Sequence, residues 1–149
     1  MIMEEQNTNN TCCITIKNQI TEFTEVVKTI DQVCYNWNVS PKIVNQLNLA
    51  IEEAVSNIIF YAFSDKREHI ISIILSNNKD NITVQISDDG KSFNILEVDN
   101  DIDINASVEE REIGGLGIYI LKKMVDVVEY QRKGNMNILK LTKKLENKQ

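Results

Sequence analysis

The sequence predicts an α+β protein, a two-layer α/β sandwich with helices on one face of a mixed, mostly antiparallel sheet. Residues 21–37 and 47–63 carry apolar side chains at three-and-four spacing, the period of amphipathic helices. The β-branched runs 69–75 and 82–86, and again 127–132 and 136–142, are separated by short turn-forming stretches, as in hairpins. Helices clustered between antiparallel hairpins favour two packed layers over a doubly wound sheet.

The 149 residues are enough for one domain with its own core. We place that domain at residues 11–146 and read the polar residues 1–10 as a disordered N-terminus. One Pro and five Gly leave no low-complexity linker. A net charge of −6 argues against a nucleic-acid backbone as direct partner. No apolar run reaches the about 18 residues of a membrane span. The first residues also lack a basic segment followed by an apolar one. A cytoplasmic protein without membrane association is expected. Cys12, Cys13 and Cys34 form no C-x-x-C and have only His69 to assist them, so zinc is not expected and buried thiols are.

In chain order, residues 12–17 (CCITIK) form a short first strand, placed at an edge. Phe23, Val26, Val27, Ile30, Val33, Cys34 and Trp37 line one face of the first helix. Ser40 and Pro41 then supply an N-cap and a first helical residue, opening the second helix. Within it Leu47, Ile51, Ala54, Ile58, Tyr61 and Ala62 make an apolar stripe, and Glu53 and Asn57, four apart, stack along its border. Phe60 and Phe63 fall outside the stripe, where either a partner or the lid covers them or, the preferred reading, they pack under a neighbouring loop. Residues 69–75 (HIISIIL) are almost continuously apolar, as in a strand covered on both faces. Ile82, Val84 and Ile86 alternate with polar residues up to Asp88-Asp89-Gly90.

Residues 91–113 follow no period and hold Glu97, Asp99, Asp101, Asp103, Glu109, Glu110 and Glu112 against Lys91 and Arg111. So long an irregular stretch in a small domain is characteristic of a lid or binding loop. Gly114-Gly115-Leu116-Gly117 ends it and opens a third helix, running to about residue 126. Gly134-Asn135 marks the turn of the last hairpin.

Each polar motif admits two readings. Glu53 and Asn57 either rim an amphipathic helix or meet a metal-bound phosphate. Mg²⁺ takes hard oxygens such as an Asn carbonyl, and a carboxylate one turn away can orient or deprotonate a hydroxyl. Asp88-x-Gly90 is either an ordinary turn or an acceptor for an exocyclic amine such as adenine's, with Gly90 letting the backbone pass close to the ring. Gly114, Gly115 and Gly117 either cap a helix or leave its first N–H groups open to phosphate oxygens. The spacing of a P-loop is absent, and the glycines come after a loop rather than a strand, unlike a Rossmann fingerprint.

Taken in order, E-x-x-x-N on a helix, D-x-G after a strand, a lid and G-G-L-G opening a helix resemble the Bergerat ATP-binding fold of the GHKL superfamily. Within it the chain is similar to the single-domain anti-sigma-factor serine kinases over roughly residues 12–145. The closer likeness rests on 53–57 (EAVSN), 88–93 (DDGKSF), 115–120 (GLGIYI) and 125–130 (VDVVEY). The resemblance implies that Glu53 is the catalytic base, Asn57 the Mg²⁺ ligand, and Asp88 the adenine-reading carboxylate with Gly90 beneath the base. It also implies that Gly114, Gly115, Leu116 and Gly117 contact the phosphates. Arg111 either reaches a phosphate or anchors the lid by a salt bridge. Two positions depart from the family: Tyr61 stands where many relatives carry His, and Asn137-Ile138 where they carry a Thr pair.

The implied protein is a Mg·ATP-dependent serine/threonine kinase and anti-sigma factor. It binds a sigma factor, phosphorylates a STAS-type anti-anti-sigma protein and dimerises through its first strand and helix. An ATP-gated binding module without kinase activity is the alternative. A third reading, the ATP-hydrolysing half of a histidine-kinase system, finds no preceding helix with a phosphoacceptor His.

Overall fold

The computed structural model describes residues 3–8, 10–97 and 115–145, with backbone alone for 3–8. Strand β1 (Met3–Thr8) and strand β2 (Thr11–Lys17) are followed by helix α1 (Phe23–Asn36) and helix α2 (Pro41–Asn57), which runs on into a π-helical turn at Ile58–Ala62. Then come β3 (Ile70–Asn77), β4 (Asn81–Asp88), α3 (Gly115–Met124), β5 (Val127–Lys133) and β6 (Met136–Lys144). The six strands lie in the order β1-β2-β3-β4-β6-β5, and every pairing is antiparallel, so the mixed sheet expected from sequence is antiparallel throughout the described residues.

The register shows why one face is covered. Cys12 pairs with Leu75, Leu75 with Val84, and Val84 with Leu141, a row of buried side chains on one side of the pleat. Val26, Ile30, Leu47, Ile51, Val55, Ile118 and Leu121 from the three helices complete the same core. Ser40 caps α2 as its sequence position predicts: Ile43 N–H donates to Ser40 Oγ at 3.4 Å, and Pro41 needs no partner for the N–H it lacks.

Three expectations are corrected. Residues 3–8 form a strand rather than a disordered terminus, because main-chain hydrogen bonds to β2 need no apolar side chains. That addition makes β2 an interior strand, not an edge. The apolar run of β3 is covered on one face only: Ile71, Ile73 and Leu75 are buried, while Ile70 is 53% exposed and Ile74 half-buried beside Cys13 and Gln85. No helix lies over that second face within the described residues, so its Ile side chains sit among polar neighbours. Among the described residues no helix is long and apolar enough to cross a membrane.

Candidate active site

The end of α2, the end of β4, α3 and β6 enclose a cavity of about 280 Å³. That lies near the lower end of small-molecule sites, roughly 300–1,000 Å³. Ala54, Ile58, Ile118, Leu121 and Leu139 give it apolar walls, and Asn57, Asp88, Lys91, Tyr130 and Asn137 set polar groups into them. The π-helical turn shapes one side. A π turn widens the backbone by one residue and rotates the residues after it. The apolar stripe of α2 therefore does not continue into the core as its spacing predicts: Tyr61 is 44% exposed and, with Ala62, borders the cavity.

Asp88 closes β4 and is 3% exposed. Its Oδ1 accepts from Gly90 N–H at 2.8 Å and from Asn137 Nδ2 at 3.1 Å. Burial pushes its carboxyl above the ordinary carboxylate range, against the lowering pull of those two bonds. With both bonds on Oδ1, Oδ2 is the oxygen left to accept from a ligand. Gly90 also has a packing role. A Cβ there would meet Ala62 Cβ at 2.6 Å and Ala62 O at 2.7 Å, so the glycine lets the end of β4 pack against the π turn. The next residue fastens the contact, Lys91 N–H donating to Ala62 O at 2.9 Å.

Glu53 and Asn57 stand on successive turns of α2, as their spacing predicts. Asn57 Nδ2 donates to the Glu53 carbonyl at 2.9 Å, which turns its carbonyl oxygen Oδ1 into the end available to a cation. The Glu53 carboxylate lies against Gly117 on the first turn of α3; a Cβ at Gly117 would collide with Glu53 Oε2. Burial first, and the neighbouring Glu52 second, raise the Glu53 carboxyl. Gly115 and Leu116 begin α3. Gly114, Arg111 and residues 98–113 of the expected lid lie outside the described residues.

Sequence reasoning missed the wall facing Asp88. Asn137, 6% exposed, pairs with Asp88 across β4 and β6, and its Oδ1 accepts from Tyr130 O–H. Arg132 Nη1 donates to Gly90 O at 2.7 Å, holding the same turn from β5. The departure from a Thr pair at 137–138 was the available signal, since a carboxamide can donate twice where a hydroxyl donates once. Phe63 packs as expected, stacked on His69 with ring centroids 4.0 Å apart, but Phe60 is 60% exposed.

Comparison with known proteins identifies the family and agrees with the fold. Residues 16–143 match the model of the histidine kinase-like ATPase domain. The chain belongs to that family, whose domain takes ATP. It is 27% identical over 109 residues to the serine-protein kinase RsbW of Listeria monocytogenes, covering 71% of this chain and 69% of the relative. It is 28% identical over 109 residues to the serine-protein kinase RsbW of Bacillus mycoides, covering 71% and 67%. Among solved structures, the RsbU and RsbW domains of Rv1364c from Mycobacterium tuberculosis superpose with a TM-score of 0.62 at 13% identity, covering 91% of this chain and 32% of that one. The histidine kinase domain of the Erythrobacter litoralis EL346 blue-light activated histidine kinase gives 0.52 at 15% identity, covering 85% and 60%. At these identities the two structures bear on the fold, and this chain spans about a third of the first.

Proposed function

We propose that the chain is a Mg·ATP-dependent serine/threonine protein kinase that also binds a sigma factor, its phosphate acceptor being a STAS-type anti-anti-sigma protein. The observation that carries this reading is Glu53, its carboxylate against Gly117, standing one turn before Asn57, which lines the cavity together with Asp88. A domain that only sensed nucleotide would need the cavity and Asn57 but not the carboxylate. The similarity to serine-protein kinases of Listeria and Bacillus supports a serine acceptor, and the two protein partners follow from the resemblance to the anti-sigma-factor kinases. A homodimer and a cytoplasmic location belong to the same reading.

Asn57 fits a Mg²⁺ ligand, because its nitrogen is engaged and a single protein oxygen suffices for an ion that draws other ligands from water and phosphate. When bound, the ion neutralises charge on the transferred phosphoryl group. Asp88 Oδ2 accepts the exocyclic amine of adenine. The first N–H groups of α3, at Gly115, Leu116 and Gly117, face phosphate oxygens, where Gly117 also keeps side-chain bulk away from Glu53. Glu53 takes the proton of the serine or threonine hydroxyl as that oxygen attacks the terminal phosphorus and ADP leaves. Its raised pKa suits that role, since a base matched nearer to neutrality is the more effective one.

The test is phosphate transfer from labelled ATP to a STAS-type protein of the same organism, mapped by mass spectrometry. Wild type should label one serine or threonine, and Glu53→Gln should lose transfer while still binding ATP. Transfer at the wild-type rate in Glu53→Gln would overturn the mechanism. ATP binding without transfer in wild type would favour the gated binding module.

A further inference from the structure

We propose that Asn137 makes the cavity selective for a 6-amino over a 6-oxo purine, by fixing Asp88 as a hydrogen-bond acceptor. The inference rests on the reading of the cavity as a purine-nucleotide site and adds a specificity residue on β6.

Its ground is the fixed orientation of one buried amide. Around Asn137 Nδ2 stand Asp88 Oδ1 at 3.1 Å, the Lys91 carbonyl at 2.9 Å and the Gly90 carbonyl at 3.4 Å. All three are acceptors, so this end of the amide must be the nitrogen. The other end accepts from Tyr130 O–H, whose oxygen lies 3.3 Å from Ser92 Oγ. A reversed amide would set its oxygen against a carboxylate and two carbonyls. Tyr130 thus positions Asn137, and Asn137 positions Asp88.

This arrangement has two consequences for a bound base. Both N–H groups of Asn137 point at protein oxygens, so the residue offers no donor to the ligand. Recognition falls to Asp88, whose Oδ1 is already occupied by Gly90 N–H and Asn137. An ionised carboxylate only accepts, so Oδ2 takes an N–H from a 6-amino group and repels a 6-oxo group. A protonated Asp88 would instead donate to the 6-oxo oxygen. Burial drives the carboxyl toward that second state, and the Asn137 donor opposes it. The selectivity depends on the carboxamide.

The experiment measures the affinity of ATP and of GTP by calorimetry for wild type, Asn137→Asp, Asn137→Ala and Tyr130→Phe. The introduced carboxyl in Asn137→Asp shares a proton with Asp88, as adjacent carboxyls do, so the ATP preference should fall by about tenfold or more. Asn137→Ala should lower it in the same direction, and Tyr130→Phe by less. These last two decide the matter if Asn137→Asp does not fold. Variants that bind nucleotide with the wild-type ATP-to-GTP ratio would overturn the inference alone. Failure of wild type to bind either nucleotide would overturn it together with the reading on which it rests.

Discussion

Gly117 lies in contact with the Glu53 carboxylate, so close that the smallest side chain would strike Oε2. The atom in the way is the far end of a flexible side chain, so Gly117→Ala should displace the carboxylate rather than disturb the fold. Alanine also favours a helix over glycine by about 0.5–1 kcal/mol. The variant is expected to melt at or slightly above the wild-type temperature while phosphate transfer falls by about tenfold or more, as a misplaced base would cause. Calorimetric melting and the transfer assay, run together, check both halves.

Gly90 presents the opposite case. Its added Cβ would meet Ala62 Cβ and the Ala62 carbonyl, and a backbone oxygen cannot swing aside. Gly90→Ala should therefore cost stability, by about 1–3 kcal/mol as for an overpacked site. It should also part the end of β4 from the π turn that walls the cavity. Urea denaturation reads the first effect and ATP affinity the second.

Asp88 is held at a cost to the fold. Its carboxyl titrates above the ordinary range because burial disfavours the charge. A carboxyl raised in the folded state stabilises the fold most when protonated, so its contribution grows as pH falls through the raised pKa and is unfavourable above it. Asp88→Asn removes the buried charge and should melt no lower than wild type at pH 7, while losing ATP. Thermal melts across pH 4 to 8 test the sign, since the variant's advantage should shrink toward the acid end.

His69 has the same sign from a different cause, a gained partner rather than burial. Its Nε2 lies 2.7 Å from Asp65 Oδ1 and its Nδ1 3.0 Å from Asp89 Oδ1, with the ring stacked on Phe63. A neutral imidazole can donate to only one of the two carboxylates, so the pair of contacts, Asp65 first, raises its pKa above 6.5. A group raised in this way adds stability below its unfolded pKa and loses it as pH climbs through the folded one. Asp65, lowered chiefly by His69, keeps its share above the unfolded carboxylate pKa and loses it as pH falls through the lowered value. The chain has one histidine, so a single NMR titration reads the shift without assignment. His69→Gln should be less stable than wild type near pH 6, with the gap closing above the raised pKa.

How far the sequence carried the reading depends on where each interaction is encoded. The cap at Ser40-Pro41, the paired Glu53 and Asn57 and the hairpin turn at Gly134 depend on neighbours within a few residues, and their spacing displayed them. Strand β1 did not announce itself, because a polar strand joins a sheet through its backbone and leaves no apolar period. The π turn at Ile58–Ala62 was hidden for another reason: Gly90 and Lys91, some thirty residues on, meet Ala62 there. Asn137 was noticed only as a departure from a Thr pair. Its work became visible once Asp88 was seen opposite it in the register.

The central claim is that Asp88 and Asn57 build one Mg·ATP site, and calorimetry of ATP with and without Mg²⁺ tests it most directly. Wild type should bind ATP with a clear dependence on Mg²⁺, Asn57→Ala should lose that dependence, and Asp88→Asn should lose ATP altogether. Wild-type affinity and Mg²⁺ dependence in both variants, or no binding by wild type, would contradict the account.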